Sequence, residues 1–155
     1  MQIKARDDSS YSATPATLQN VTIKHNEFVS SSTEQTVAIR FGETGAGNSG
    51  PTGLEVHYNS FDGGFDEYAI RNETTGGKVN ATNNYWGSPD GPTSGQISGD
   101  VTYDPYLQPR VTASPTTITA DGETTSTITA NLLTNSNGEE LDADDLGPVY
   151  AYKSP

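Results

Sequence analysis

The sequence predicts an all-β fold made of stacked, repeated units. The first observation is a phrase used three times. Val21-Thr22-Ile23-Lys24-His25-Asn26-Glu27-Phe28 returns as Leu54-Glu55-Val56-His57-Tyr58-Asn59-Ser60-Phe61, and again as Val79-Asn80-Ala81-Thr82-Asn83-Asn84-Tyr85-Trp86. The second is the alternation of apolar residues inside each copy, a period of two that marks a strand with one buried face. The third is a further phrase out of phase with the first, Val37-Ala38-Ile39-Arg40 and Tyr68-Ala69-Ile70-Arg71. The asparagines of the first phrase stand 33 and 25 residues apart, and the two Ile-Arg pairs 31 apart. Repeat periods of roughly 20 to 50 residues are those of stacked supersecondary units.

Taken from the N-terminus, residues 1–4 are expected to enter directly into part of a coil. Each following unit then contains two short strands and no helical stretch. Spacers of Gly, Asn, Ser and Thr supply the turns. One unit cannot bury its own apolar face, but stacked units can. Val21, Leu54 and Val79 then form one column, and Ile23, Val56 and Ala81 the next. Asn26, Asn59 and Asn84 stack at a strand-to-turn corner. There an asparagine tolerates left-handed backbone and its amide bonds the turn and the neighbouring rung. Phe28, Phe61 and Trp86 are expected to form an aromatic column beside them. These six residues are the predicted structural ladder.

Over residues 15–108 this pattern resembles the right-handed parallel β-helix family, in which each coil adds one rung to a set of parallel sheets. The third copy runs on through Gly87-Ser88-Pro89-Asp90-Gly91-Pro92 to Gly99-Asp100-Val101-Thr102-Tyr103-Asp104-Pro105-Tyr106-Leu107. That run is similar to the final coil and C-terminal closure of many secreted bacterial and archaeal β-helix proteins. The resemblance implies about three coils over residues 1–108, closed by Trp86 and the segment from Tyr103 to Leu107.

Beyond Pro109 the pattern changes. Residues 113–130 alternate Thr or Ser with apolar residues around Asp121-Gly122, which predicts a β-hairpin. This stretch resembles the opening of bacterial immunoglobulin-like domains of the invasin and intimin type. Such a sandwich takes about 100 residues, so residues 109–155 are expected to be a truncated immunoglobulin-like β-sandwich segment. The whole chain is then expected to be a piece of a longer protein. The segment from Val111 onward is expected to be its least stable part. Two strands alone are marginal in water, and the acids of residues 139–145 repel one another.

Composition narrows the function. Twenty acidic residues against eight basic ones give a net charge of −12. That excludes the clustered Lys and Arg of a nucleic-acid footprint and disfavours anionic membrane surfaces. The chain has no cysteine, which rules out a disulfide framework or a thiolate zinc site. No apolar stretch is long enough for membrane insertion or a signal peptide. The three Asn-X-Thr sequons, at Asn20, Asn72 and Asn80, are what an Asn- and Thr-rich chain yields by chance.

The candidate site residues are few. Arg40 and Arg71 fall at equivalent, outward positions of successive coils. Two guanidiniums on one sheet suit an acidic sugar; arginine is also the base in some β-helix lyases, which this scaffold resembles. Their bland role is to balance Glu43, Glu67 and Glu73. Asp62, Asp66 and Glu67 bracket the Gly63-Gly64 turn with hard oxygen ligands, so calcium is the one cofactor the sequence leaves open. No metal set is complete. His25 and His57 occupy different slots of the repeat and are too sparse for a triad. Outward slots Thr22, Glu55 and Asn80 pair no two acids, as glycosidase chemistry needs. Residues 42–50 lack the Lys and the strand-to-helix context of a phosphate loop. Tyr58, Tyr68, Tyr85, Tyr103 and Tyr106 offer stacking faces for sugars, but serve more simply as caps. The expected function is therefore non-catalytic: a rigid stalk or binding module of a secreted or cell-surface adhesin or envelope protein. Its partners would be polysaccharide or cell-envelope components, or further copies joined through open coil ends. The alternative is a carbohydrate-active module, either a polysaccharide binder or the remnant of a lyase or glycoside hydrolase.

Overall fold

The computed structural model describes residues 1–4, 18–30, 37–43, 50–63, 65 and 67–147. Strands hold 46% of these and helix 3%, so the chain is all-β. The strands are β1 (Gln2–Ile3), β2 (Gln19–Lys24), β3 (Glu27–Val29), β4 (Val37–Gly42), β5 (Thr52–His57), β6 (Ser60–Asp62), β7 (Tyr68–Glu73), β8 (Val79–Asn80), β9 (Ile97–Ser98), β10 (Val101–Thr102), β11 (Leu107–Ser114) and β12 (Thr127–Asn135). One short helix, α1 (Ala143–Leu146), follows.

Three parallel sheets are built by strands that recur in the same order. One runs β1-β4-β7-β9, a second β10-β8-β5-β2, and the third pairs β3 with β6. Each passage of the chain through the three sheets lays one rung on the last. The registers are the repeat written in space. Val21 lies beside Leu54 and Leu54 beside Val79; Ile23 lies beside Val56. Phe28 lies beside Phe61, and Arg40 beside Arg71. The N-terminal strand joins the stack as expected, with Gln2 beside Arg40.

The core is the line of apolar columns between the sheets. Leu54, Val56, Phe61, Ile70 and Val79 are at most 1% exposed. The aromatic column stacks nearly flat: Phe28 and Phe61 centroids lie 5.1 Å apart at 9°, and Phe61 and Trp86 4.8 Å apart at 15°. Offset stacking of this kind adds to the burial of the rings themselves. Phe28 is only half-buried, because it stands on the first described rung of its column.

The asparagine column works as a hydrogen-bond ladder. Asn59 donates from Nδ2 to Ile23 O and to His57 O, both at 2.9 Å. Its Oδ1 accepts from the Asn26 backbone N–H at 3.0 Å. Asn84 repeats the arrangement one rung on, donating to Val56 O and Ala81 O and accepting from the Asn59 N–H at 2.9 Å. Each amide thus satisfies corner groups that two adjacent rungs would otherwise bury unpaired. One detail differs from the sequence expectation. The left-handed backbone is not at the asparagines but at the residue before each: His25, Tyr58 and Asn83 have φ of 59°, 54° and 55°. The asparagine must keep its amide turned into the stack, so its neighbour makes the bend.

At the C-terminal end β10 lies on β8, and the backbone of Ala81 donates to Thr102 O. Tyr106 packs against the core, and Leu107 is fully buried. Gly91 fits closely here: a Cβ would stand 2.7 Å from the Tyr106 ring. The chain then leaves the stack. β11 and β12 pair antiparallel, from Leu107 with Asn135 to Ser114 with Thr127. The boundary expected after residue 108 therefore falls inside β11. The hairpin also differs in extent from the expectation. Residues 115–126, Ile118 and the Asp121-Gly122 turn among them, form the exposed connection and not the strands. Asp121 organises that connection by accepting from Glu123 N, Thr124 N and Thr124 Oγ1. Among the described residues only this two-stranded sheet and α1 follow the stack, without a facing second sheet.

The segment after β12 lies against the stack. Ser136 bonds Tyr106 O and Asp104, and the His25 ring bonds Asp145 O. Leu146 is 3% exposed while the acids around it face water. The carboxylates of residues 139–145 face solvent.

Candidate binding surface on the outer faces of the sheets

Side chains that alternate with the core columns point outward and stack rung upon rung, because parallel strands in register repeat their faces. Two polar clusters form in this way. The first lies on the β4-β7 face. Arg40 reaches Glu73 Oε2 with Nη2 at 2.6 Å and Nε at 2.7 Å. Arg71 reaches Glu73 Oε1 with Nε at 2.7 Å and Glu67 Oε2 with Nη1 at 3.2 Å. The Arg71 guanidinium also lies 5.6 Å from the centre of the Tyr68 ring. The Glu73 side chain is only 7% exposed, held between the two cations. Two arginines meet two glutamates, so the cluster is locally neutral. An acidic sugar would have to displace Glu73 from a nearly buried, doubly paired position, where separating charges is costly.

The second cluster lies on the β5-β8 face. His57 Nε2 is 2.6 Å from Glu55 Oε2, and Asn80 Nδ2 donates to the same oxygen at 2.9 Å. His57 Nδ1 lies 2.9 Å from Thr82 O and 3.3 Å from Thr82 Oγ1. Sequence reasoning placed His57 in a different repeat slot from His25 and did not join it to Thr82 or Glu55. Stacking does so, because Glu55 and Asn80 are register partners. Hydroxyl, imidazole and carboxylate in a row look like a nucleophile triad. The geometry is wrong for one. A general base needs a lone pair aimed at the hydroxyl, whereas Nδ1 faces a carbonyl oxygen that can only accept. Both ring nitrogens point at acceptors, so the imidazole ties two rungs together.

The remaining candidates lie apart. His25 stacks on Tyr58 at 6.1 Å on the corner column and shares no hydrogen bond with the Glu55, Asn80 and Thr82 cluster. Asp62 is exposed at the end of β6, while Gly64 and Asp66 of the proposed calcium turn are outside the described residues. So are residues 44–49 of the glycine-rich loop. Among the described residues no group of three or more His, Asp or Glu side chains gathers to hold a metal. Nor is any described helix long and apolar enough to cross a membrane.

One residue gained a role that the sequence reading did not assign. Asn72 opens a sequon, yet it is buried in the register slot beside Phe41. Its Nδ2 donates to Gly77 O and Asp100 O, and its Oδ1 accepts from Thr74 N and Oγ1. This side chain takes the place of a core aromatic and knits the loop that follows β7.

Comparison with protein-family models, curated proteins and solved structures returned no match. What the fold defines is a class: an all-β chain of stacked parallel rungs with an appended antiparallel hairpin.

Proposed function

We propose that this chain is a non-catalytic, rigid module of a secreted or cell-surface adhesin or envelope protein. In this reading the three parallel sheets are the faces of a right-handed β-helix of about three coils. The β11-β12 hairpin is the opening of an immunoglobulin-like domain. The observation that carries the proposal is that the outward polar side chains satisfy one another. Arg40, Arg71, Glu67 and Glu73 form one closed set, and Glu55, His57, Asn80 and Thr82 another. Groups already paired across rungs stiffen the stack, and these two clusters hold no activated nucleophile or base. Function then comes from length, rigidity and display, with envelope polysaccharide as the partner class.

The test is an assay for reducing-sugar release and unsaturated-uronate absorbance on neutral and acidic polysaccharides, with calcium present. No turnover is expected. Reproducible turnover that is lost on Arg71→Ala would replace this reading with that of a carbohydrate-active module.

A further inference from the structure

The segment after β12 takes a path that neither the hairpin nor the stack requires. It begins on the last rung, where Ser136 N donates to Tyr106 O at 2.7 Å and Ser136 Oγ to Asp104 Oδ1 at 2.9 Å. One rung back, the fully buried Asn135 donates from Nδ2 to Asn83 Oδ1 at 3.2 Å. A further rung back, the Tyr58 phenol feels the carboxylates of Asp145 and Glu139. At the first described rung of this column, His25 Nε2 donates to Asp145 O at 2.7 Å. Gly147 there lies so close that a Cβ would stand 2.7 Å from the His25 ring. The segment is pinned to β12 midway by Leu141 N donating to Leu133 O at 2.8 Å. The column it follows is Asn83, Tyr58 and His25, the left-handed corner residues, whose side chains face outward from successive rungs.

We propose that residues 135–147 act as a strap laid along this corner, which couples the first described rung of the stack to the hairpin at its other end. A stack of rungs ordinarily holds each rung through its nearest neighbours alone. A terminal rung is then the weakest, since it has a neighbour on one side only; among the described residues β2 lies at the edge of its sheet. A strap anchored at both ends supplies a contact that skips the intervening rungs. Opening of the first rung then has to release the strap, and release of the strap exposes the first rung. The strap binds mainly through backbone groups and Leu146, and its acids stay in water.

The test is residue-resolved native-state hydrogen exchange on the full chain and on two variants altered only in the strap, Gly147→Ala and Leu146→Ser. The reporters are the Leu141 amide, which donates to Leu133 O, and the His25 amide, which donates to Tyr58 O at 3.2 Å. Both amides are expected to exchange at least about tenfold faster in each variant. The β7 amides, on a sheet away from the strap, should not change. If Leu141 is released and His25 keeps its protection, the segment is docked but couples nothing, and the proposal is overturned. Unchanged exchange at both positions overturns it as well, because then the observed contacts do not hold the strap.

Discussion

The parallel stack and the antiparallel hairpin use the same backbone chemistry to opposite effect. The hairpin has the longest strands in the molecule, eight residues in β11 and nine in β12, with a ladder of paired residues along them. Yet Val111 is 68% exposed and Ile128 64%. The stack is built of strands of two to six residues, and its inward side chains are close to fully buried. Ladder length therefore does not make a core. A core forms where several faces converge, and in the stack the central columns set apolar side chains of similar kind in register, Val21, Leu54 and Val79 among them. The hairpin offers one apolar face, with Ala113 beside Ile128 and Val111 beside Ala130, and that face meets water.

Four measurements would break or sharpen that contrast. The largest effect is expected at Trp86, which is 2% exposed and ends the aromatic column. Trp86→Ala should cost about 3 kcal/mol of unfolding free energy in urea. Trp86→Phe should cost less than about 1.5 kcal/mol. The smaller ring continues the stack, and the Nε1–H it removes is buried without an acceptor among the described residues. An Ala variant as stable as the parent would mean that the columns are not what holds the stack. Next comes Asn59→Ala, expected to cost about 2 kcal/mol because Ile23 O and the Asn26 N–H lose their partner. The exposed Asn26 should cost less than half as much when changed to Ala. Equal losses at the two sites would show that burial does not set the strength of the ladder.

The third measurement concerns the contact between the two regions. Partial burial, and then the Asp145 and Glu139 carboxylates, raise the Tyr58 phenol above its usual 10.0, while a hydrogen bond with Asn83 works the other way. The folded chain thus favours the neutral phenol. The stabilisation is complete below pH 10 and is lost as pH rises through the raised folded value. Stability followed from pH 9 to pH 12 should therefore fall more steeply in the parent than in Tyr58→Phe. Parallel curves would remove Tyr58 from the junction. The smallest effect is expected in the hairpin, where Ile128→Thr should change stability by no more than about 0.5 kcal/mol. A loss above 2 kcal/mol would mean that this face is covered in solution.

How much of this was legible in the sequence follows from what each contact is made of. The columns were legible because they are side chains repeated at intervals; Val21, Leu54 and Val79 could be aligned by eye and are register partners. The corner was legible in place but not in backbone. Among residues with a side chain asparagine tolerates left-handed φ well, yet the amides of Asn26, Asn59 and Asn84 were needed for the ladder, and the preceding His25, Tyr58 and Asn83 took the bend instead. The structural role of Asn72 was not legible, because its sequence context says nothing of the buried slot beside Phe41. The strap was not legible at all. It is held by the Asp145 carbonyl and by the missing Cβ of Gly147, while the side chains that dominate its composition point into water. Glu73 was named only as one of several balancing acids. Its position between two arginines depends on the one-rung offset of β4 and β7.

The unequal spacing of the repeat has a consequence for how such a chain can change. Val21, Leu54, Val79 and Val101 occupy one column, although 33, 25 and 22 residues separate them in turn. The surplus lies in the connections between strands, and the register does not shift to absorb it. Coil number and loop length are thus independent variables. An insertion between β4 and β5 alters what a neighbour meets on the outside without moving any residue of the column. A duplicated coil, by contrast, adds one rung to the parallel sheets and leaves their decoration untouched. Reach and surface chemistry can then be tuned separately, by different kinds of mutation.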